Sequence, residues 1–209
     1  LSLGTATDTY DASGTVIESR EYDGVENVVE VLQSFVGNQK QIPPIYSAIK
    51  VKGKKLYEYA RNHEEVKIEP RDIIIHEIEL LQQDENEITL RVRCSKGTYI
   101  RSLCVDIAKK LGYPGHMSKL IRSQSGHFRL EDCSTLEDIE AGHFHMLSIE
   151  DAFEHFDKYV IEDENIVIHG KMIKSDIDHQ VVIVNKQGKV LAVYGPNGQG
   201  YLKSIRGLF

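Results

Sequence analysis

The stretch Cys94-Ser95-Lys96-Gly97-Thr98-Tyr99-Ile100-Arg101-Ser102-Leu103 sets a phenol and a guanidinium two residues apart. Strand-like sequence passes there through a Gly turn into a helix. Binding and catalytic side chains are often placed at such junctions, because regular elements on both sides hold them still. On residue type alone, Tyr99 and Arg101 could hold the carboxylate of a small molecule. A second stretch, 40–61, carries Lys40, Lys50, Lys52, Lys54, Lys55 and Arg61 with Tyr46, Tyr57 and Tyr59 interleaved. Lysines meet phosphates and tyrosine faces stack on unpaired bases. The same pattern also suits a solvated helix with its tyrosines half in the core. A third cluster adds Lys119, Arg122 and Arg129 to Lys96 and Arg101. Within it Gly115 to Arg122 reads as a turn followed by a strand or helix edge, and Leu120 as a core leucine.

Other chemistries find no support. His143 and His145 form H-x-H without the carboxylate or Cys spacing of a metal site, so no metal is expected. The phosphate-cradling G-x-x-x-x-G-K-[ST] and G-x-G-x-x-G patterns and the G-x-S-x-G elbow are missing from the sequence. Cys94, Cys104 and Cys133 are an odd number with no C-x-x-C pair, which predicts reduced thiols, an intracellular setting and no structural zinc. No apolar run approaches the length of a membrane span. Leu1 opens directly on strand-like sequence without a charged, apolar leader, and so reads as the interior of a longer protein.

The net charge of −7 hides an alternation. Residues 38–71 hold 8 basic against 4 acidic side chains, 91–129 hold 9 against 1, and 180–209 hold 4 against none. The segments between them are acidic; 130–179 holds 3 against 14. A local basic surface, rather than the net charge, attracts phosphates. Solvated outer faces would give the same count.

These residues need elements to position them. Residues 1–9 read as a strand and Tyr10 to Gly14 as a loop. Asp23-Gly24-Val25-Glu26 reads as a capping box opening a helix with Val25, Val28, Val29, Leu32 and Val36 on one face, stopped by Gly37. Residues 38–52, with Pro43-Pro44, read as irregular and extended, and Lys54 to Arg61 as a short helix. Residues 72–82 and 86–95 alternate as a hairpin about Asp84-Glu85-Asn86. Arg101 to Leu111 is a helix with Leu103, Ile107 and Leu111 in register and Gly112 past its end. Ser134-Thr135-Leu136-Glu137 and Ser148-Ile149-Glu150-Asp151 read as helix starts. Short apolar strands at 181–184 and 190–193, joined by a turn at 185–188, form a small β unit.

Four stretches, in order, resemble the TruB family of tRNA pseudouridine synthases. They are Leu3-Gly4-Thr5-Ala6-Thr7-Asp8-Thr9; Gln41-Ile42-Pro43-Pro44-Ile45-Tyr46-Ser47-Ala48-Ile49-Lys50 with Gly53 and Tyr57-Glu58-Tyr59-Ala60-Arg61; Lys96 to Leu103; and Leu120-Ile121-Arg122-Ser123-Gln124-Ser125-Gly126-His127-Phe128. The resemblance implies an α+β fold: a mixed, mostly antiparallel sheet with flanking helices, N-terminally truncated, then a small β-barrel PUA-like domain. It implies a catalytic domain over 1–155, with 43–71 as the insertion that grips the T-loop, and an RNA-binding domain over 156–209. It implies isomerisation of a T-loop uridine in the TΨC arm of tRNA to pseudouridine, without cofactor or metal, by a monomer. An aspartate attacks the flipped nucleotide, the glycosidic bond breaks, and the base rejoins through carbon. In that resemblance Arg101 partners the catalytic carboxylate, while Tyr99, Leu120 and Lys96 bind the substrate. Tyr46, Lys50, Lys52, Lys54, Lys55, Arg61 and Arg122 contact RNA.

The sequence departs from the family pattern in one respect. The nucleophile lies in a Gly-His-Thr-Gly-Thr-Leu-Asp-like motif, and no such motif occurs among these residues. The family's K-x-Y motif, which should end just before Leu1, is absent as well. Asp8 and Asp11 match an ordinary segment after a strand and do not fill the gap. The chain is therefore expected to be a fragment that is inactive by itself. Beside this reading stand a non-catalytic RNA-binding module and a small-molecule enzyme. Arg101 alone fits either enzyme, whereas the four ordered motifs fit the TruB type and not the small-molecule enzyme; an activity assay separates the isomerase from the module.

Overall fold

The computed structural model of the chain describes residues 1–208. It is a mixed α+β fold of two compact units, Leu1–Ser123 and Gln124–Phe209. The 155/156 boundary that the resemblance implies is a division by family domain, and the compact units divide at 123/124.

In the first unit, β1 (Ser2–Leu3) and β2 (Thr5–Thr7) precede β3 (Val16–Ser19), α1 (Val28–Gln33) and β4 (Gly37–Gln41). Then come β5 (Lys50–Val51), β6 (Lys54–Lys55), α2 (Leu56–Arg61), β7 (Arg71–Asp84), β8 (Glu87–Cys94), α3 (Ile100–Lys110) and β9 (Gly115–His116). The main sheet runs β4-β7-β8-β1-β9 and is antiparallel throughout. The expected hairpin forms its centre. In β7 the buried residues are Ile73, Ile75 and Ile78, so the period of two slips once. The ladder shifts register between Ile75 and Glu77, and the extra residue returns Ile78 to the core face. Val28 and Leu32 of α1 and Leu103, Ile107 and Ala108 of α3 pack with these isoleucines, Ile88 and Leu3 in one core. Each Val, Leu or Ile side chain among them contributes about 1.5–3 kcal/mol when fully buried.

Three local expectations change. Residues 1–9 are two strands in different sheets, broken at Gly4. The expected capping box at Asp23 does not open α1; its N-cap is Asn27, in the left-handed region at φ 57, and Val29 and Val36 are exposed. The helix is shorter because Tyr22 and Val25 instead pack on the core from the preceding loop. Residues 37–41 are a strand, although Gly-Asn-Gln-Lys-Gln shows no apolar alternation. Pairing with β7 over its whole length specifies it.

The second unit contains β10 (Gln124–Ser125), β11 (Phe128–Arg129), α4 (Leu136–Glu140), α5 (Ile149–Ala152), β12 (Lys158–Val160) and α6 (Glu164–Ile168). β13 (Ile173–Lys174), β14 (Val181–Val184), β15 (Val190–Pro196) and β16 (Tyr201–Gly207) complete it. Both expected helix starts hold: Thr135 with Asp138 and Ser148 with Asp151 form capping boxes. The expected β tail is a five-stranded sheet ordered β12-β14-β15-β16-β13, with one parallel pair, β12 with β14. Val181, Ile183, Leu191, Tyr194 and Leu202 fill its core.

Candidate active site

The junction between β8 and α3 is built by local chemistry. Gly97, at φ 90, turns the chain, and Thr98 closes the turn by donating its N–H and hydroxyl to the Ser95 carbonyl (3.3 and 2.9 Å). Tyr99 is the N-cap of α3, with extended backbone and no cap from its own side chain. Arg101 is therefore the second helical residue. A cation there opposes the positive end of the helix dipole and needs acceptors. It has three: Nη1 donates to the Thr9 carbonyl (2.8 Å) and to Asp11 Oδ2 (3.2 Å), and Nη2 donates to the Tyr46 carbonyl (2.8 Å). The Arg101 and Asp11 side chains are 21% and 23% exposed, so the pair is only partly screened by water. Nε–H and one Nη2 hydrogen have no protein acceptor among the described residues.

Asp11 is a site residue that the sequence reading set aside as part of a turn. Its Oδ1 accepts from Thr9 Oγ1 (2.9 Å), Ser13 Oγ (2.5 Å) and Ser13 N–H (3.0 Å). Burial pushes its carboxyl up, but the hydrogen bonds from Ser13 and Thr9 and the Arg101 charge outweigh it, and the net shift is downward. Asp11 thus stays ionised and holds Arg101. The signal was legible as Thr9-x-Asp11-x-Ser13, an acidic turn residue with a hydroxyl two positions away on each side.

Gln41, at the end of β4 and 4% exposed, is the second residue missed. Its side-chain amide faces the Tyr99 peptide: Tyr99 N–H donates to Oε1 (2.8 Å), and Nε2 donates to the Tyr99 carbonyl (3.1 Å). Nearby, the buried Ser47 hydroxyl has no partner among the described residues.

The basic stretch divides into free and engaged cations. Lys52 and Gly53, both at positive φ, form the two-residue turn joining β5 and β6, with Lys50 and Lys52 exposed. Lys54 lies over the Tyr59 ring (4.6 Å) and bonds both oxygens of Glu64 (2.7 Å each). Lys55 and Arg61 both lie over Tyr57, each 5.3 Å from its centroid. The faces of Tyr57 and Tyr59 that looked available for bases thus already carry cations. Lys96 and Arg122 are exposed and make no side-chain hydrogen bond or ion pair among the described residues, and Leu120 is 49% exposed in an irregular segment. The structure thus joins Tyr99, Arg101 and Tyr46 at one junction, with Lys50 to Arg61 on the adjacent hairpin and helix.

No helix among the described residues is long and apolar enough to cross a membrane. No group of three or more His, Cys, Asp and Glu among them could hold a metal ion.

Residues 1–100 match the family model described as TruB family pseudouridylate synthase, N-terminal domain. Residues 101–161 match that of the tRNA pseudouridylate synthase B C-terminal domain. The tRNA pseudouridine synthase B of Bacillus cereus is 40% identical over 230 residues, covering 99% of this chain and 74% of the relative. The enzyme of the same name from Caldanaerobacter subterraneus is 45% identical over 180 residues, covering 84% of this chain and 63% of the relative. Among solved structures, a chain in the crystal structure of a Cbf5-Nop10-Gar1 complex superposes with a TM-score of 0.65 at 22% identity. That match covers 90% of this chain and 63% of the other, and at this identity it speaks for the fold alone.

Proposed function

The chain belongs to the TruB family of pseudouridylate synthases, and from that membership we propose that it is the part of a tRNA-modifying isomerase that grips the T-arm and positions the nucleophile's partner. The substrate is a T-loop uridine, converted to pseudouridine. An aspartate from outside these 209 residues attacks the flipped nucleotide, the bond from sugar to base nitrogen breaks, and the base rejoins through C5, losing its C5 hydrogen. The observation that carries this reading is the state of Arg101. Asp11, Thr9 and Tyr46 hold its guanidinium, while Nε–H and one Nη2 hydrogen stay free for a second carboxylate. A carboxylate in that place would be kept ionised, hence nucleophilic, by the guanidinium and the N-terminal end of α3.

Tyr99 lines the uridine pocket, Leu120 packs against the base, and Lys96 lies beside the substrate backbone. Tyr46, Lys50, Lys52 and Arg122 contact RNA, with Lys54, Lys55 and Arg61 held against the tyrosines and shaping the 43–71 insertion. The second unit contributes RNA contacts in the manner of a PUA domain. The enzyme works in the cytoplasm as a monomer and uses no cofactor.

The test is tritium release from tRNA labelled at uracil C5. The 209-residue chain alone should bind T-arm RNA and release none, and a chain extended by the family's nucleophile motif should turn over. Turnover by the unextended chain would overturn the account of the nucleophile. Binding without turnover by the extended chain would replace the isomerase with an RNA-binding module, the reading that the missing motif favours.

A further inference from the structure

We infer that Gln41 is a positioning residue of this site, capping α3 from another strand and so fixing where Arg101 stands. The inference rests on the reading of Arg101 given above. In an ordinary capping box the third helical residue reaches back to the N-cap N–H. In α3 the N-cap is Tyr99, whose side chain makes no cap, and the third helical residue is Ser102. Ser102 does not reach back; its hydroxyl donates to the Ile42 carbonyl (2.9 Å). Gln41 supplies what is missing. Its Oε1 accepts the Tyr99 N–H, and its Nε2 donates to a Tyr99 carbonyl that already takes the first helical bond from Leu103 N–H (3.0 Å).

Three hydrogen bonds thus staple Gln41 and Ile42 to the first turn of α3, and Arg101 adds a fourth to Tyr46, five residues further along the same strand exit. β4 is itself fixed in register against β7 from Gly37 to Gln41. The amide of Gln41 therefore transmits the position of a rigid sheet to the residue two before Arg101. At 4% exposure the side chain must offer one donor and one acceptor to one peptide: a hydrocarbon offers neither, a carboxylate only the acceptor, and a shorter amide offers both without the same reach.

Two variants and two readouts test this. In the 209-residue chain, NMR-detected amide exchange should show Tyr99 N–H about tenfold less protected in Gln41→Met, with amides of the β7–β8 ladder unchanged. Gln41→Glu keeps an oxygen for the Tyr99 N–H and should keep its protection. In the extended enzyme, Gln41→Met should lower kcat with little change in KM, because Arg101 moves while the RNA grip stays. Unchanged Tyr99 protection in Gln41→Met, or a loss spread evenly through the β7–β8 ladder, would overturn the inference. So would equal exposure of Tyr99 in both variants. If the wild-type extended enzyme gives no turnover, the isomerase reading fails, and the exchange data still decide the role of Gln41 as a clamp.

Discussion

Asp11 and Arg101 stand 90 residues apart in the chain and 3.2 Å apart in space, and the Arg101 charge joins the Ser13 and Thr9 hydrogen bonds in favouring the Asp11 carboxylate. Asp11 has its carboxyl pKa lowered on folding. A carboxyl lowered in the folded state adds stability that is present above its unfolded value, near pH 4, and is lost as pH falls through the folded value. Asp11→Asn keeps an oxygen for Thr9 and Ser13 but loses the charge facing Arg101. It should therefore destabilise by about 1 kcal/mol at pH 7. The gap to wild type should close as pH falls from 5 to 2, measured by urea unfolding across that range. A gap that widens toward acid would contradict the ionised pairing. The place of Arg101 at a junction between strand and helix was legible in the sequence. Its actual partners were not, because Thr9 and Tyr46 use backbone carbonyls that no side-chain pattern records, and Asp11 looked like any turn aspartate.

At the scale of elements, α3 shows why some of the fold is legible and some is not. Leu103 and Ile107 recur at helical spacing, Gly112 follows the end, and burial of Ser102, Leu103, Cys104, Ile107 and Ala108 places that face on the sheet. The hairpin of β7 and β8 was equally legible from its alternation. β4 was not, since a polar strand is specified by its neighbour's hydrogen bonds, and α1 was overread because valines at helical spacing also suit a loop folded on the core. Cys104 reports on α3 directly. Burial pushes its thiol up to about 11, so it is neither ionised nor reachable at neutral pH, whereas Cys133 is exposed. Iodoacetamide at pH 8 should modify Cys133 in the native protein and Cys104 only in urea, as read by peptide mass spectrometry. Native labelling of Cys104 as fast as Cys133 would mean that α3 does not stay packed on its sheet.

For the whole molecule, the net charge of −7 and an isoelectric point near 5.7 describe a protein that should avoid polyanions. The distribution says otherwise, and ion pairing refines it. Lys40, Lys67 and Lys186 sit 3.2, 2.8 and 2.8 Å from the carboxylates of Asp72, Glu69 and Glu162, so each already has a counterion. Lys50, Lys52 and Lys96 are exposed with no such partner among the described residues. Changing either set of three to Gln lowers the net charge by the same amount, so net charge alone forecasts equal effects. Phosphate contact forecasts a difference, because each lysine that displaces a counterion from RNA contributes roughly 0.7–0.9 to the slope of log affinity against log salt. Binding of a T-arm hairpin should thus lose roughly two units of slope in the Lys50, Lys52, Lys96 variant. It should keep nearly all of its slope in the paired set, measured by fluorescence anisotropy from 50 to 300 mM salt. Equal losses in both variants would return the basic blocks to the status of solvated faces. Each triple changes only exposed side chains, so a matched urea midpoint in both would confirm that the difference arises from the contact and not from the fold.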